Sequence, residues 1–288
     1  MVLEVHHVNA WLKPKLVFNI KHILRTIDTN LSSALIRKFI FPKFDAINVP
    51  YAPMKHYILN ETNYDKEIFA LPIRLYKDRN ERKITKKHDD VKLRIAMPGL
   101  IQEHRKNYQV VLPALKNLFK QYNGDLAVDV PGWPIGRYGR SIYKEFKEMK
   151  DDGCQVFVFE GFVPDGVFED FLEKSDIILA PIRINSRADG EIKEQYGKTV
   201  ISGSVYDAIR FAKPLVVPSE FNMMKELKSS TLDYSDPSEL EEIIAKLISH
   251  PDKLEKLKRE AVVNSKKFSL DNLQRYFEKN LLDWLQKN

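Results

Sequence analysis

The sequence predicts an α/β fold built on a parallel sheet covered by helices on both faces. Three observations carry this. From Val91 onward, short apolar runs alternate with stretches of roughly ten residues whose apolar positions repeat at helical spacing. The runs are mostly apolar rather than alternating at every second position, as strands buried on both faces are. The 288 residues, 43% hydrophobic and 30% charged, have the composition of a soluble globular chain with one large or two modest cores.

Taken in order, Leu93–Met97 reads as a buried strand ending at Pro98-Gly99. Asn107–Tyr122 is apolar at Val110, Val111, Ala114, Leu115, Leu118 and Phe119, a helical spacing, and Pro113 inside it predicts a kink or a late start. Asp125–Val130 is the next strand, and Ser141–Lys150 a helix stopped by Gly153. A strand from Cys154, a helix over "DGVFEDFLEKS" and the strand "DIILAPI" follow. Then come a helix at Ser204–Ala212, a strand at Leu215–Val217, a short helix near Met224 and a last strand in "STLDY". Asp236-Pro237-Ser238-Glu239 has an N-cap acid, proline at the first helical position and a reciprocal glutamate.

Before Val91 the pattern gives a strand at Ala46–Val49, a helix around Met54–Leu59 and a strand near Ile68–Leu71. "KDRNERKITKKHDD", dense in charge, reads as a linker. The expected division is a partial N-terminal domain over 1–85, a second domain over 86–268, and a C-terminal helix over 269–288.

Composition narrows the function classes. No apolar run approaches the ~20 residues of a membrane-spanning helix, and the N-terminus lacks the pattern of a secretory signal. Cys154, the single cysteine, fits a reducing, cytoplasmic setting and excludes a thiolate metal site. The net charge of +6 is uneven: Lys13, Lys15, Lys21, Arg25, Arg37, Lys38 and Lys43 face one acid, Asp28, across that span. Apolar residues interleave there, so segment 13–43 is either a core-facing helix with a basic outer face or a peripheral contact with an anionic membrane. The aromatics do not interleave with these charges as a stacking platform would, which argues against nucleic acid.

Ligands of parallel sheets bind beyond the strands' C-terminal ends, so the loops there are the ones to examine. "GKTVISGSVYDAIRFAKPLVVPS" (Gly197–Ser219) places Lys198, Ser202, Gly203 and Ser204 where a helix begins. Ser204 with Asp207 three residues on has capping-box spacing, an ordinary cap. Yet free amides at a helix start, a glycine and a nearby lysine also make a seat for phosphate, with Asp207 placed to accept from sugar hydroxyls. Both readings stand on the residues alone. In "MPGLIQEHRKNYQVVLPAL" (Met97–Leu115), Gly99 ends the strand, and Arg105 and Lys106 precede a helix N-terminus. Two cations are unfavourable there unless an anion lies between them and the helix.

Residues 93–288 resemble the donor-binding half of GT-B glycosyltransferases, in particular the retaining family-4-like group. "PGLIQEHRKN" is similar to that family's Gly-Arg…Glu-x-Arg-Lys-Gly loop, and "EGFVPDGVFEDFLEKSDIILAP" to its segment beside the nucleobase. "SVYDAIRFAKPLVVPS" resembles its "E-A-x-x-x-G-x-P-V-V" helix and strand, and "KKFSLDNLQRYFEKNLLDWL" its C-terminal helix that crosses back to the first domain. At the N-terminal side "LEVHHVNAWL" resembles the strand bearing "T-V-H-D". The sequence departs from the family at Leu100, where the loop's first arginine stands, at Asn107 in place of glycine, and at Thr199 and Asp207 in place of two glutamates eight apart.

The resemblance implies a GT-B-like protein with a Rossmann-like C-terminal domain and a truncated N-terminal α/β domain. It implies hexosyl transfer from a UDP- or GDP-linked sugar to a glycan or lipid-linked acceptor, as in polysaccharide biosynthesis, with retained configuration. Lys106 and Arg105 would hold the diphosphate, and Gly99, Lys198 and the Ser202–Gly203–Ser204 amides the phosphate and sugar. Asp207 would hold the ribose, Phe162 and Val163 would lie beside the base, and His6 rather than His7 near the sugar. No metal or further cofactor is expected, since cations and a helix end already supply positive charge. A partner chain completing the N-terminal domain is a further expectation. Two alternatives stay open: a non-catalytic nucleotide-sugar-binding subunit, and a sugar-nucleotide epimerase of the same fold.

Overall fold

The computed structural model of the chain describes residues 1–13, 32–76, 91–188 and 192–287. Its main sheet has six parallel strands in the order β11-β10-β7-β4-β5-β6. These are β4 (Leu93–Ala96), β5 (Leu126–Val130), β6 (Val156–Val158), β7 (Ile177–Leu179), β10 (Leu215–Pro218) and β11 (Thr231–Tyr234). A second parallel sheet, β1-β2-β3, is formed by Val2–Glu4, Ala46–Asn48 and Glu67–Phe69. The main sheet shows the parallel order that the apolar runs after Val91 predict.

Helices cover the two faces of the main sheet. On one face α4 (Tyr108–Tyr122), α5 (Gly136–Asp151) and α8 (Pro237–Ser249) bury Val111, Leu115, Phe146 and Ile244 against Leu93, Ile95 and Val128. On the other, α6 (Asp165–Lys174) and α7 (Gly203–Phe211) bury Leu172, Val205 and Ile209. That second core runs without a break into the N-terminal sheet, taking in Ile47 and Val49, and Met54 and Ile58 of α3 (Ala52–Glu61). The N-terminal unit is therefore seated on the α7 side of the main sheet. α1 (Val8–Leu12) and α2 (Ser32–Ile40) complete its described helices.

Several elements differ from the sequence pattern. α4 begins at Tyr108 and runs through Pro113, because a long apolar face holds the helix despite the missing amide. α5 starts at Gly136, five residues before the pattern placed it, its first turn hidden by Gly136, Arg137 and Gly139. The stretch read as a loop after β7 contains an antiparallel hairpin, β8 (Asn185–Ala188) with β9 (Ile192–Gln195). α7 is capped by Ser202, whose hydroxyl accepts from the Ser204 amide, so Ser204 is not the cap and Asp207 is no capping-box partner. The Asp236 cap holds: its carboxylate accepts from Glu239 N at 2.9 Å, and Glu239 answers on Ser235 N at 2.8 Å.

α9 (Pro251–Lys266) leads to α10 (Leu270–Phe277), a π-helical turn at Glu278–Leu282, and α11 (Asp283–Lys287). Trp284 of α11 meets the Phe69 ring edge-on at 5.8 Å, so the C-terminal segment returns to the N-terminal sheet. The charged linker and most of the basic segment 13–43 lie outside the described residues.

Candidate functional site

β4 and β7 are neighbours whose following helices, α4 and α7, lie on opposite faces, so the sheet changes direction between them. A crevice opens beyond their C-terminal ends at such a point. The loops after these strands meet there. Asn107 N donates to Pro181 O at 2.7 Å and Arg183 N to Arg105 O at 3.0 Å, and Lys106 pairs with Ile182 in an antiparallel bridge. The loop after β4 is tied to that after β5 by Gly99 N donating to Pro131 O at 3.1 Å. Gly99 has φ +97°, a conformation that favours glycine. A Cβ on Gly132 would lie 2.0 Å from the Gly99 carbonyl oxygen, so these loop backbones touch with no room for a side chain.

This crossing aims Lys106 at α7. Its Nζ donates to Ser204 Oγ at 3.1 Å and to Pro98 O at 3.0 Å, and the side chain is 6% exposed. Burial pushes the Lys106 pKa down to about 8; nearby Asp207 opposes the shift and Arg105 adds to it. Asp207, one turn into α7, is 5% exposed, and burial raises its pKa to about 6 against the pull of Arg74, Lys106 and Arg210. Its Oδ1 accepts from Arg74 NH1 at 2.8 Å. At the head of the helix, Gly203 is exposed and has nothing within 4 Å of where its Cβ would stand. The helix N-terminus thus opens on free space beside a buried cation, the arrangement that binds anions.

The structure brings together Gly99, Lys106, Ser202, Gly203, Ser204 and Asp207. Arg105 is exposed next to Lys106. Lys198 points elsewhere: its Nζ pairs with Glu61 at 3.1 Å and lies 5.2 Å from the Tyr57 ring centre, so it binds the N-terminal unit. Phe162, 71% exposed, packs against Trp133 at 5.5 Å between ring centres, whereas Val163 is buried beneath. Trp133, on the loop after β5, went unread in the sequence.

On the N-terminal side, His6 is exposed and His7 half-buried in the turn between β1 and α1. Val8 N donates to Thr199 O at 3.0 Å, which docks this turn against the loop leading into α7. Buried Glu194 of β9 accepts from Ala10 N at 2.9 Å and fixes α1 to the hairpin. The unit is held to the rim by Tyr206 Oη donating to Pro50 O at 3.0 Å and Tyr51 Oη to Asn222 O at 2.7 Å.

No family model and no curated protein matches the chain. Solved structures do. It is similar to α,α-trehalose 6-phosphate synthase from Burkholderia multivorans, with TM-score 0.59 and 14% identity over 99% of this chain and 67% of that one. Against sucrose-phosphate synthase from Thermosynechococcus elongatus the TM-score is 0.56 at 10% identity, covering 100% and 68%. Against TarM it is 0.56 at 14% identity, covering 96% and 49%. The chain spans between half and about two thirds of these proteins' lengths. Its two parallel-sheet units, the larger covered by helices on both faces, have a GT-B-like, Rossmann-like fold.

Proposed function

We propose that the chain is a glycosyltransferase that takes a hexosyl group from a nucleoside-diphosphate sugar to a glycan or lipid-linked acceptor, with retained configuration and without a metal. One observation carries the reading. Two loops almost a hundred residues apart converge so that Lys106 Nζ reaches Ser204 at the open N-terminus of α7. The departing diphosphate would lie there, with Lys106, Arg105 and the Gly203 amide stabilising its charge as the glycosyl bond breaks. Phe162, with Trp133 tilted against it, offers an exposed aromatic face for the base, and Asp207 an acceptor for ribose hydroxyls. His6 would face the sugar from the β1–α1 turn. The neighbours include two synthases of sugar phosphates, which suits an anionic donor and a polyhydroxylated acceptor.

A thermal-shift series with UDP, GDP, ADP and their sugars tests this, since a ligand of the folded state raises the melting temperature by mass action. No shift with any of them would contradict it. The pH dependence is a second check. Lys106 loses its proton above about pH 8 in the free protein, and a bound anion raises its pKa, so binding takes up a proton there. Nucleoside-diphosphate affinity should therefore fall between pH 7.5 and 9.5, approaching a tenfold loss per unit well above pH 8. A flat profile would mean that this lysine does not meet the phosphates.

Two proposed partners rest on the N-terminal unit. Among the described residues β1 and β3 are the edge strands of the N-terminal sheet, where strands from a partner chain would add to the acceptor side. α2 exposes Leu35, Phe39 and Ile40 at 45%, 62% and 43%, beside Lys38 and Lys43, which favours membrane contact over a core-facing helix. Co-sedimentation with phosphatidylserine vesicles should exceed that with phosphatidylcholine and drop several-fold in Phe39→Ser/Ile40→Ser; equal recovery on both vesicles would count against it. Among the described residues no helix is long and apolar enough to cross a membrane.

A further inference from the structure

Arg74 lies on the segment after β3, and its guanidinium crosses to Asp207 on α7, 133 residues away. The two ends of this pair differ in surroundings. The Asp207 side chain is 8% exposed, that of Arg74 48%, so the guanidinium reaches in from the open side of the cleft. A guanidinium carries five N–H donors in a planar fork, and Asp207 engages one nitrogen of it. The charges in the cluster do not balance: Lys106 and Arg74 are two cations against one buried carboxylate, at a helix end that is itself positive. Burial shifts Lys106 toward its neutral form despite the attraction of Asp207, the sign of a cation short of compensation. An anion in the open space beside Gly203 would supply it.

We propose that Arg74 is a phosphate-binding residue which the N-terminal unit contributes to the site on α7, with Asp207 as its resting partner when no ligand is bound. Arrival of a diphosphate gives the guanidinium a fork-shaped anion to grip. Asp207 is then free to accept from the ribose hydroxyls. The N-terminal unit thus senses the phosphates directly. This rests on the nucleotide-sugar reading, but the two can fail separately.

The test is titration calorimetry on the full chain with UDP, GDP, uridine, guanosine and pyrophosphate, comparing wild type, Arg74→Gln and Arg74→Lys. Thermal melts control for folding, which the half-exposed position should spare. Arg74→Gln should lose about tenfold in affinity for whichever of UDP or GDP binds, and likewise for pyrophosphate. Arg74→Lys should recover only part of that loss, since an ammonium keeps the charge without the fork, and the phosphate-free nucleoside should bind Arg74→Gln as well as wild type or better. Unchanged or tighter diphosphate binding by Arg74→Gln overturns the proposal, since the arginine would then be a structural tie or a plug. If wild type binds pyrophosphate in an Arg74-dependent way but no nucleoside diphosphate, Arg74's role stands and the nucleotide reading falls. If wild type binds neither, both fall.

Discussion

Lys106→Met should lower nucleoside-diphosphate affinity by about a hundredfold while leaving the fold in place. Removing one member of a buried charged contact with a ligand costs about 2–5 kcal/mol, and every ~1.4 kcal/mol is a factor of ten. The fold should tolerate the change because Lys106 is a burden in the empty site. Its pKa is pushed down to about 8, so the charged form is disfavoured there relative to the unfolded chain. The sign follows: between about pH 8 and the ordinary lysine value near 10.5 the unfolded chain holds the extra proton, and stability rises with pH across that window. Methionine fills a similar volume without that penalty, and Asp207 keeps Arg74 as a partner. Calorimetric titration and a thermal melt on the same sample separate the effects. Full affinity in the variant, or loss of folding along with binding, would count against this role.

Arg94→Met should be the most damaging single change to stability, at about 3–5 kcal/mol. Arg94 on β4 is 6% exposed and donates through NH1 to both oxygens of Asp129, each at 2.9 Å; Asp129 on β5 is fully buried. The variant strips that buried carboxylate of the guanidinium that compensates its charge across β4 and β5. Arg94→Met/Asp129→Leu should recover much of the loss, because replacing a whole buried pair by apolar residues is far cheaper than breaking it. Chemical denaturation of the three proteins measures this. If the double variant is as unstable as the single, the pair's worth lies elsewhere, such as in packing against Phe157.

What the sequence could show follows from which interactions are local. Buried parallel strands announce themselves as runs such as Leu93–Met97 and Ile177–Leu179, because both faces demand apolar side chains. The Asp236 cap was legible because its partners lie within four residues. The cap on α7 was displaced by two because Ser202 and Ser204 are equally able to accept from a helix amide, and only the backbone decides. The β8–β9 hairpin was hidden because its strands carry Asn185, Arg187, Lys193 and Glu194, without clean alternation.

At the site, Lys106, Gly203 and Ser204 were legible as loop residues at strand ends, which a parallel sheet gathers at one rim. Lys198 had the same credentials and failed, since nothing in a loop's sequence tells which side a lysine leaves from; Glu61, 137 residues away, decided it. Arg74 and Trp133 went unread for the converse reason. Each reaches the crevice from a segment with no motif of its own, and only the folded chain sets them beside Asp207 and Phe162.

The proposed function places a diphosphate where the loop after β4 meets the N-terminus of α7. A crystal structure of the chain with UDP or GDP, whichever the thermal-shift series selects, tests it most directly. Phosphate oxygens should lie within hydrogen-bond distance of Lys106 Nζ and the Gly203 amide, with the base against Phe162. Phosphates found instead in the adjoining cleft of about 270 Å³ lined by Asn107, Arg183, Glu220 and Ser235, away from Lys106 Nζ and the Gly203 amide, would contradict it.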